Sequence, residues 1–229
     1  MAEQENPEIG LARLSSNVME ILLEEAEDEE IFDEVLKLNR DNPEILKLLY
    51  NHPATPPWVR AEAARALGLP AGIAEHVPDK NEKTVQTEEA KRENMAHKIR
   101  GLTVGEKIRI SVRAGREARS MLLKDANRQV VMGVIANPRL TVSEVEIAAR
   151  SRSLPEEALR EIAKNKEWVK SYTVVHNLVS NAKTPPGVAL GFLPWIKAKD
   201  LQLLLKNKDI PDTVRAAARR FIEMRTKKK

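Results

Sequence analysis

The chain has 229 residues and a mass of 25.8 kDa, enough for a sizeable core, and only 3% of its residues are aromatic, which favours an all-α fold over strands. It contains no cysteine, which excludes disulfides, thiolate zinc sites, iron–sulfur clusters and cysteine nucleophiles. The net charge of +4 hides a strong asymmetry, because residues 1–89 carry a net charge of −12 and residues 90–229 carry +16.

The N-terminal part has the features of a small acidic helical lobe, assigned to residues 1–76. Its first residues, MAEQENPEIG, lack the basic and apolar regions of a secretory signal, and no apolar run in the chain approaches the ~18 residues of a membrane span. The phrase NPEI occurs at 6–9 and again at 42–45, and each copy is typical of an N-cap followed by proline at the first helical position. We therefore expect a cytoplasmic protein without a membrane partner.

Residues 77–101 are nearly devoid of large apolar side chains and are rich in charge. Such a composition predicts a linker, partly helical after Thr87. The remaining residues, 102–229, are expected to form a basic helical-repeat domain.

Helix starts are marked by a recurring phrase in which a cap or small apolar residue precedes proline or valine, two variable residues and an apolar residue. Threonine is the expected cap in the Thr-Pro-Pro copies, with proline in the first helical turn. The copies read TPPWV at 55–59, LPAGI at 69–73, TVSEV at 141–145, LPEEA at 154–158, TPPGV at 184–188 and IPDTV at 210–214.

Capping boxes are predicted at three of the helix starts, where a hydroxyl residue precedes a glutamate by three positions. The pairs are Thr103 with Glu106, Thr141 with Glu144, and Ser153 with Glu156. An asparagine recurs ahead of the cap, and we expect it to end the preceding helix in the left-handed conformation. These asparagines are Asn51, Asn137, Asn181 and Asn207.

Apolar periodicity supports short helices along 102–229. The alternating stretch KIRISVR, 107–113, is assigned to a helix because a capping box precedes it. VVMGVI, 130–135, is apolar nearly all round and predicts a buried helix, whereas 214–221 has one apolar and one basic side. Short helices of this kind must stack to bury their faces, so we expect a small α-solenoid.

The phrase Asn-x-x-Thr-Pro-x-x-Val, as in NAKTPPGV at 181–188, resembles bacterial helical repeats of the HEAT-like and variant leucine-rich kinds. The resemblance covers mainly 102–229, with a weaker echo at 42–74, and it implies a solenoid of stacked helices. The layout is also similar to conserved bacterial proteins of unknown function. Variant leucine-rich repeat proteins can carry a cysteine-bound cluster, which this chain cannot hold without cysteine.

Catalytic and metal-binding patterns are missing from the sequence. Its four histidines have no i, i+4 pairing, and no nucleophile elbow, phosphate-binding loop or dinucleotide fingerprint occurs. His176 is explained as the polar flank of a helix. We therefore expect no enzyme activity, no cofactor and no metal.

Candidate partner-binding residues are two tryptophans at helix starts and a set of arginines. Trp58 and Trp195 could be exposed anchors, although packing in the core is the commoner role of tryptophan. The arginines would contact phosphates if the chain bound nucleic acid. They are Arg109, Arg113, Arg116, Arg119, Arg128, Arg215, Arg219 and Arg220.

The sequence thus predicts a protein-interaction scaffold, with nucleic-acid binding by the basic helices as the alternative. The charge asymmetry predicts an acidic partner for the basic domain or an intramolecular contact between the two lobes; solvated helix faces would also explain it.

Overall fold

The computed structural model describes residues 14–26, 28–69 and 88–226. All the regular elements within these ranges are helices, so the prediction of an all-α chain is confirmed. The helix start predicted at 69–73 and the first part of the predicted linker lie outside the described residues, apart from Leu69.

The chain divides into two compact units, residues 1–121 and 122–229. The predicted boundaries, after His76 and after Gly101, differ from this division after Met121. The physical reason is that the second half of the predicted linker forms a helix whose apolar side chains are buried: Met95 and Ile99 are each 6% exposed. Helices from 88 to 111 pack against the N-terminal helix instead of standing apart as a tether.

Among the described residues, seven helices belong to the first unit or end at its boundary. The core that they share includes the fully buried Met19, Ile21, Leu23, Ile45 and Leu49. The helices are α1 (Ser16–Glu24), α2 (Glu30–Leu38), α3 (Pro43–Asn51), α4 (Pro57–Ala66), α5 (Glu88–Gly101), α6 (Val104–Ser111) and α7 (Arg116–Leu122).

Opposite charges meet inside the first unit. Lys98 on α5 donates to Glu20 at 2.9 Å and also to Glu24, both on α1. Arg113, after α6, forms a two-oxygen contact with the Glu34 carboxylate of α2, at 3.0 Å to each oxygen. Such partly buried, two-oxygen pairs fix geometry more firmly than exposed single contacts do. Acidic side chains of the N-terminal helices thus hold basic side chains from residues 98–113.

Glu25, just after α1, caps the start of α7 from 92 positions away in the sequence. Its carboxylate accepts the backbone N–H of Glu117 at 2.7 Å and that of Ala118 at 3.1 Å. Burial raises the pKa of Glu25 above its ordinary value, and these two N–H donors oppose the rise. The close approach is possible because residue 115 is a glycine.

His52, at the end of α3, gives the first unit a pH dependence. Burial lowers the pKa of His52 below its ordinary 6.5, and its Nδ1 is buried without a hydrogen-bond partner. The folded chain therefore holds fewer protons than the unfolded chain between the lowered pKa and 6.5. We expect the free energy of unfolding to fall as pH drops through that window, and to fall less in His52→Phe, which keeps a ring facing Phe32.

Urea denaturation of both chains at about pH 7.5 and pH 5.5 measures this difference. Between about pH 7.5 and 8.5 the histidine is neutral in both the folded and the unfolded chain. The free energy of unfolding should therefore change with pH to the same extent in wild type and in His52→Phe over that range. An equal loss of stability in both chains on acidification would contradict the assignment.

Within the described residues, the second unit has seven α-helices and two 3₁₀ turns, at Trp168–Lys170 and Leu193–Trp195. Consecutive helices pack together, α13 against α14 and α11 against α12, and so do helices two apart in the sequence, α8 against α10, α9 against α11 and α12 against α14. The helices are α8 (Arg128–Ile135), α9 (Val142–Arg150), α10 (Glu156–Lys164), α11 (Tyr172–Ser180), α12 (Pro186–Phe192), α13 (Ala198–Lys206) and α14 (Asp212–Thr226).

Several local predictions are confirmed. The Thr103 and Thr141 capping boxes are both present, and KIRISVR contributes its first five residues to α6. In α8, Val130, Val131, Val134 and Ile135 are buried. The third box is wrong: Pro155 is the N-cap of α10, and Ser153 instead shares a hydrogen bond with Ser151.

Of the four asparagines, Asn181 and Asn207 are extended rather than left-handed, contrary to the prediction, and Asn51 is the last residue of α3. Asn181 has φ −85° and ψ 121°, and Asn207 has φ −77° and ψ 107°. Each accepts, through its side-chain oxygen, the backbone N–H two residues on at 3.0 Å, and Asn137 does so at 2.9 Å. The side chain closes the turn, so no left-handed residue is needed.

The threonines of the two Thr-Pro-Pro phrases are not caps. Pro56 and Pro185 occupy the N-cap positions, one residue later than predicted. Thr55 and Thr184 are 4% and 2% exposed, and their hydroxyls have no hydrogen-bond partner. The same position, one before the N-cap, holds buried apolar residues elsewhere in the chain, at Leu140, Leu154 and Ile210.

Candidate functional site

The candidate arginines do not form one surface. Arg119 is 4% exposed and donates to the Ala114 carbonyl at 2.9 Å, and Arg113 is held by Glu34. In the second unit, Arg128 pairs with Glu157 and Arg215 with Asp212. At least four of the eight therefore make contacts within their own unit.

The other four arginines are exposed, as Arg128 is despite its ion pair. Arg109 and Arg116 lie in the first unit, on α6 and α7, whereas Arg219 and Arg220 lie on α14 in the second. Sequence proximity grouped these residues, but their side chains belong to different helices and serve different purposes.

Both candidate tryptophans are exposed, against the expectation that core packing is the commoner role. Trp58, near the start of α4, is 49% exposed, and Trp195, in the second 3₁₀ turn, is 61% exposed. Trp168 is half-buried and lies in the first 3₁₀ turn, just before α11.

Trp195 is held in place despite its exposure. Phe192 meets its ring edge-on, with the ring centroids 6.0 Å apart and an angle of 80° between the planes. The guanidinium of Arg225, on α14, donates to the carbonyls on either side of the tryptophan, to Pro194 at 2.6 Å and to Ile196 at 2.7 Å. These contacts fix the turn, so an exposed indole is presented in one position.

The residues after Trp195 are fixed by a tyrosine. The Tyr172 hydroxyl accepts the backbone N–H of Lys197 at 3.1 Å and donates to the Asp200 carboxylate. The Lys197 ammonium lies over the Tyr172 ring, 4.5 Å from its centroid. Burial, followed by the bond to Asp200, raises the pKa of Tyr172, so the hydroxyl remains a donor at neutral pH.

A polar groove in the second unit was missed by the sequence analysis. One wall is a face of α11, formed by Thr173, His176, Asn177 and Ser180, which recur at i, i+3, i+4 and i+7. That spacing was visible in the sequence, but His176 was read alone as a polar flank. The full lining is Arg150, Arg152, Thr173, His176, Asn177, Ser180, Asn181, Ala182 and Asp209.

Within the described parts of the chain, no three His, Cys, Asp or Glu side chains are placed to hold a metal ion. No helix described in the structure has the length and apolarity that a membrane span requires.

Comparisons of the chain with protein-family models, with curated proteins and with solved structures found no match. The resemblance to HEAT-like and variant leucine-rich repeats therefore stays a prediction. Function has to be argued from the geometry of the two units.

Proposed function

We propose that this chain is a non-enzymatic protein-binding module, a small cytoplasmic scaffold of stacked helices that binds its partner through the surface around Trp195. One observation carries the proposal: Trp195 is 61% exposed and yet fixed by Phe192 and Arg225. Covering a water-exposed indole with a partner is favourable, because apolar surface is removed from water. An indole that is already fixed loses little conformational entropy on binding.

The partner we expect is a protein segment that carries acidic residues beside an apolar side chain. The exposed Lys197 and Lys199 follow the tryptophan closely in the chain. Apolar burial at the tryptophan would supply affinity, and these lysines would steer an acidic segment.

The side-by-side packing of helices two apart supports the solenoid form of the proposal. In such a stack each added helix pair extends a surface, and interaction scaffolds use these extended surfaces. The HEAT-like resemblance would have the same consequence.

Nucleic-acid binding is the weaker interpretation. At least four of the eight candidate arginines are engaged within their own unit, and the exposed ones are divided between helices of the two units. Binding to duplex phosphates would show an affinity that falls by about 0.9 log units per tenfold rise in salt for each phosphate contacted.

The test compares wild type, Trp195→Ala and Trp58→Ala as affinity baits in native extract, with quantitative mass spectrometry. We expect a partner whose recovery falls by about tenfold or more with Trp195→Ala and stays unchanged with Trp58→Ala, because loss of a central anchor typically costs more than ~1.4 kcal/mol. Trp58 is a matched control since it is also exposed but lies in the other unit.

If the Trp195→Ala bait captures every protein that the wild-type bait captures, with the same recovery, the proposal is contradicted. In that case, fluorescence anisotropy of labelled duplex DNA at two salt concentrations decides whether the basic helices bind phosphates instead. Steeply salt-dependent binding, reduced by Arg219→Gln with Arg220→Gln, would establish the alternative.

A further inference from the structure

We infer that the polar groove of the second unit, between the end of α9, one face of α11 and the loop after α13, binds a small molecule that carries a phosphate or carboxylate group. This site is independent of the Trp195 surface and of the proposed function. The groove encloses about 570 Å³, within the range of small-molecule sites.

The groove brings together hydrogen-bond donors that make no hydrogen bond to other described residues. Arg150 ends α9, and no hydrogen bond or ion pair to its guanidinium occurs among the described residues. The same is true of the Thr173 and Ser180 hydroxyls and of the His176 ring nitrogens, all on the α11 wall. A guanidinium with two hydroxyls and an imidazole matches the acceptor oxygens of an anion, and arginine binds such groups through two parallel hydrogen bonds.

The floor of the groove is built and rigid. Asn181 is 5% exposed, and its amide nitrogen donates to the carbonyls of Ala149 at 2.8 Å and Ser151 at 2.9 Å. Asn177 donates to the Glu146 carbonyl at 2.8 Å. These bonds matter for an anion, because the free carbonyls at the end of α9 would otherwise repel it.

Charge at the groove favours an anion. Arg152 pairs with Asp209 across the opening, so the one carboxylate of the lining is neutralised. The Arg150 charge has no opposite charge in the lining, and the carbonyl oxygens of Glu146, Ala149 and Ser151 already accept hydrogen bonds from the two asparagines. Arg150 therefore leaves the lining residues with a net charge of +1, and a partly enclosed site screens that charge less than bulk water does.

The experiment is a titration of the full-length, ¹⁵N-labelled chain with inorganic phosphate and, separately, with citrate at constant ionic strength. We expect saturable shifts of the backbone amides of Arg150, Thr173, Asn177 and Ser180. Saturation by phosphate alone assigns a phosphate group to the ligand, and saturation by citrate alone assigns a carboxylate. Both results support the site.

Two variants connect the shifts to the groove. Arg150→Gln should weaken binding by about tenfold, since one charge-assisted contact is lost, and Thr173→Val should weaken it by a smaller factor. Arg220→Gln is the control, because it removes an exposed arginine from α14 outside the groove lining. Shifts that never saturate, or equal losses in Arg150→Gln and Arg220→Gln, would show general attraction of anions and overturn the inference.

Discussion

Replacing Gly115 with alanine is expected to lower the free energy of unfolding of the first unit by about 1–3 kcal/mol, the usual effect of overpacking a filled position. A Cβ at residue 115 would overlap the Cβ of Glu25 and lie 2.7 Å from its Cδ and 2.9 Å from its Oε2. The Cβ of Glu25 is fixed to the backbone at the end of α1, so rotation of the side chain cannot relieve the overlap. Either α1 or the start of α7 must move.

The movement would have a second effect, because Glu25 accepts the first backbone N–H groups of α7. These donors have no intrahelical partner, and loss of a cap typically costs about 1 kcal/mol. Urea denaturation followed by circular dichroism measures the change in stability. A lower midpoint with an unchanged slope is the expected result.

Gly105→Ala is the matched control, since Gly105 lies in α6 of the same unit and its added Cβ would meet nothing within 4 Å. Alanine favours helix over glycine by up to about 1 kcal/mol, so this variant should be equal to wild type or slightly more stable. If both variants had the same stability, the close approach of α1 and α7 would be refuted.

The local features of the fold could be predicted because their causes lie within a few residues. The capping boxes at Thr103 and Thr141 need only a hydroxyl and a glutamate three positions later, and the buried helix at 130–135 needs only its own apolar residues. The cap of α7 could not be predicted, because Glu25 reaches it from 92 positions away. The same long-range contacts place residues 88–121 with the acidic helices.

The candidate site was predictable to a smaller extent. Charge and spacing identified the arginines, but a sequence does not show that Arg113 pairs with Glu34 or that Arg119 is buried. The exposure of Trp195 depends on Arg225, which fixes the turn from another helix. The polar stripe on α11 could have been found from its helical spacing alone.

Thr184→Val is expected to raise the free energy of unfolding of the second unit by about 1 kcal/mol or more, whereas Thr141→Val should lower it by about 1 kcal/mol. The two threonines precede similar helices but differ by one position. The Thr184 hydroxyl is buried without a partner, so removing it abolishes a desolvation penalty while valine keeps the shape. The Thr141 hydroxyl accepts the Glu144 N–H and donates to the Glu144 carboxylate at 2.7 Å.

The pair of variants tests the register of the helix starts. Leu140, Leu154 and Ile210 occupy the position of Thr184, one before the N-cap, and all are buried. If that position favours an apolar side chain, Thr55→Val in the first unit should also be stabilising, because the buried Thr55 hydroxyl also has no hydrogen-bond partner. Thermal unfolding of the three valine variants measures the signs. A loss of stability in Thr184→Val would mean that this hydroxyl caps its helix after all, and the register assigned to the Thr-Pro-Pro phrases would be one residue wrong.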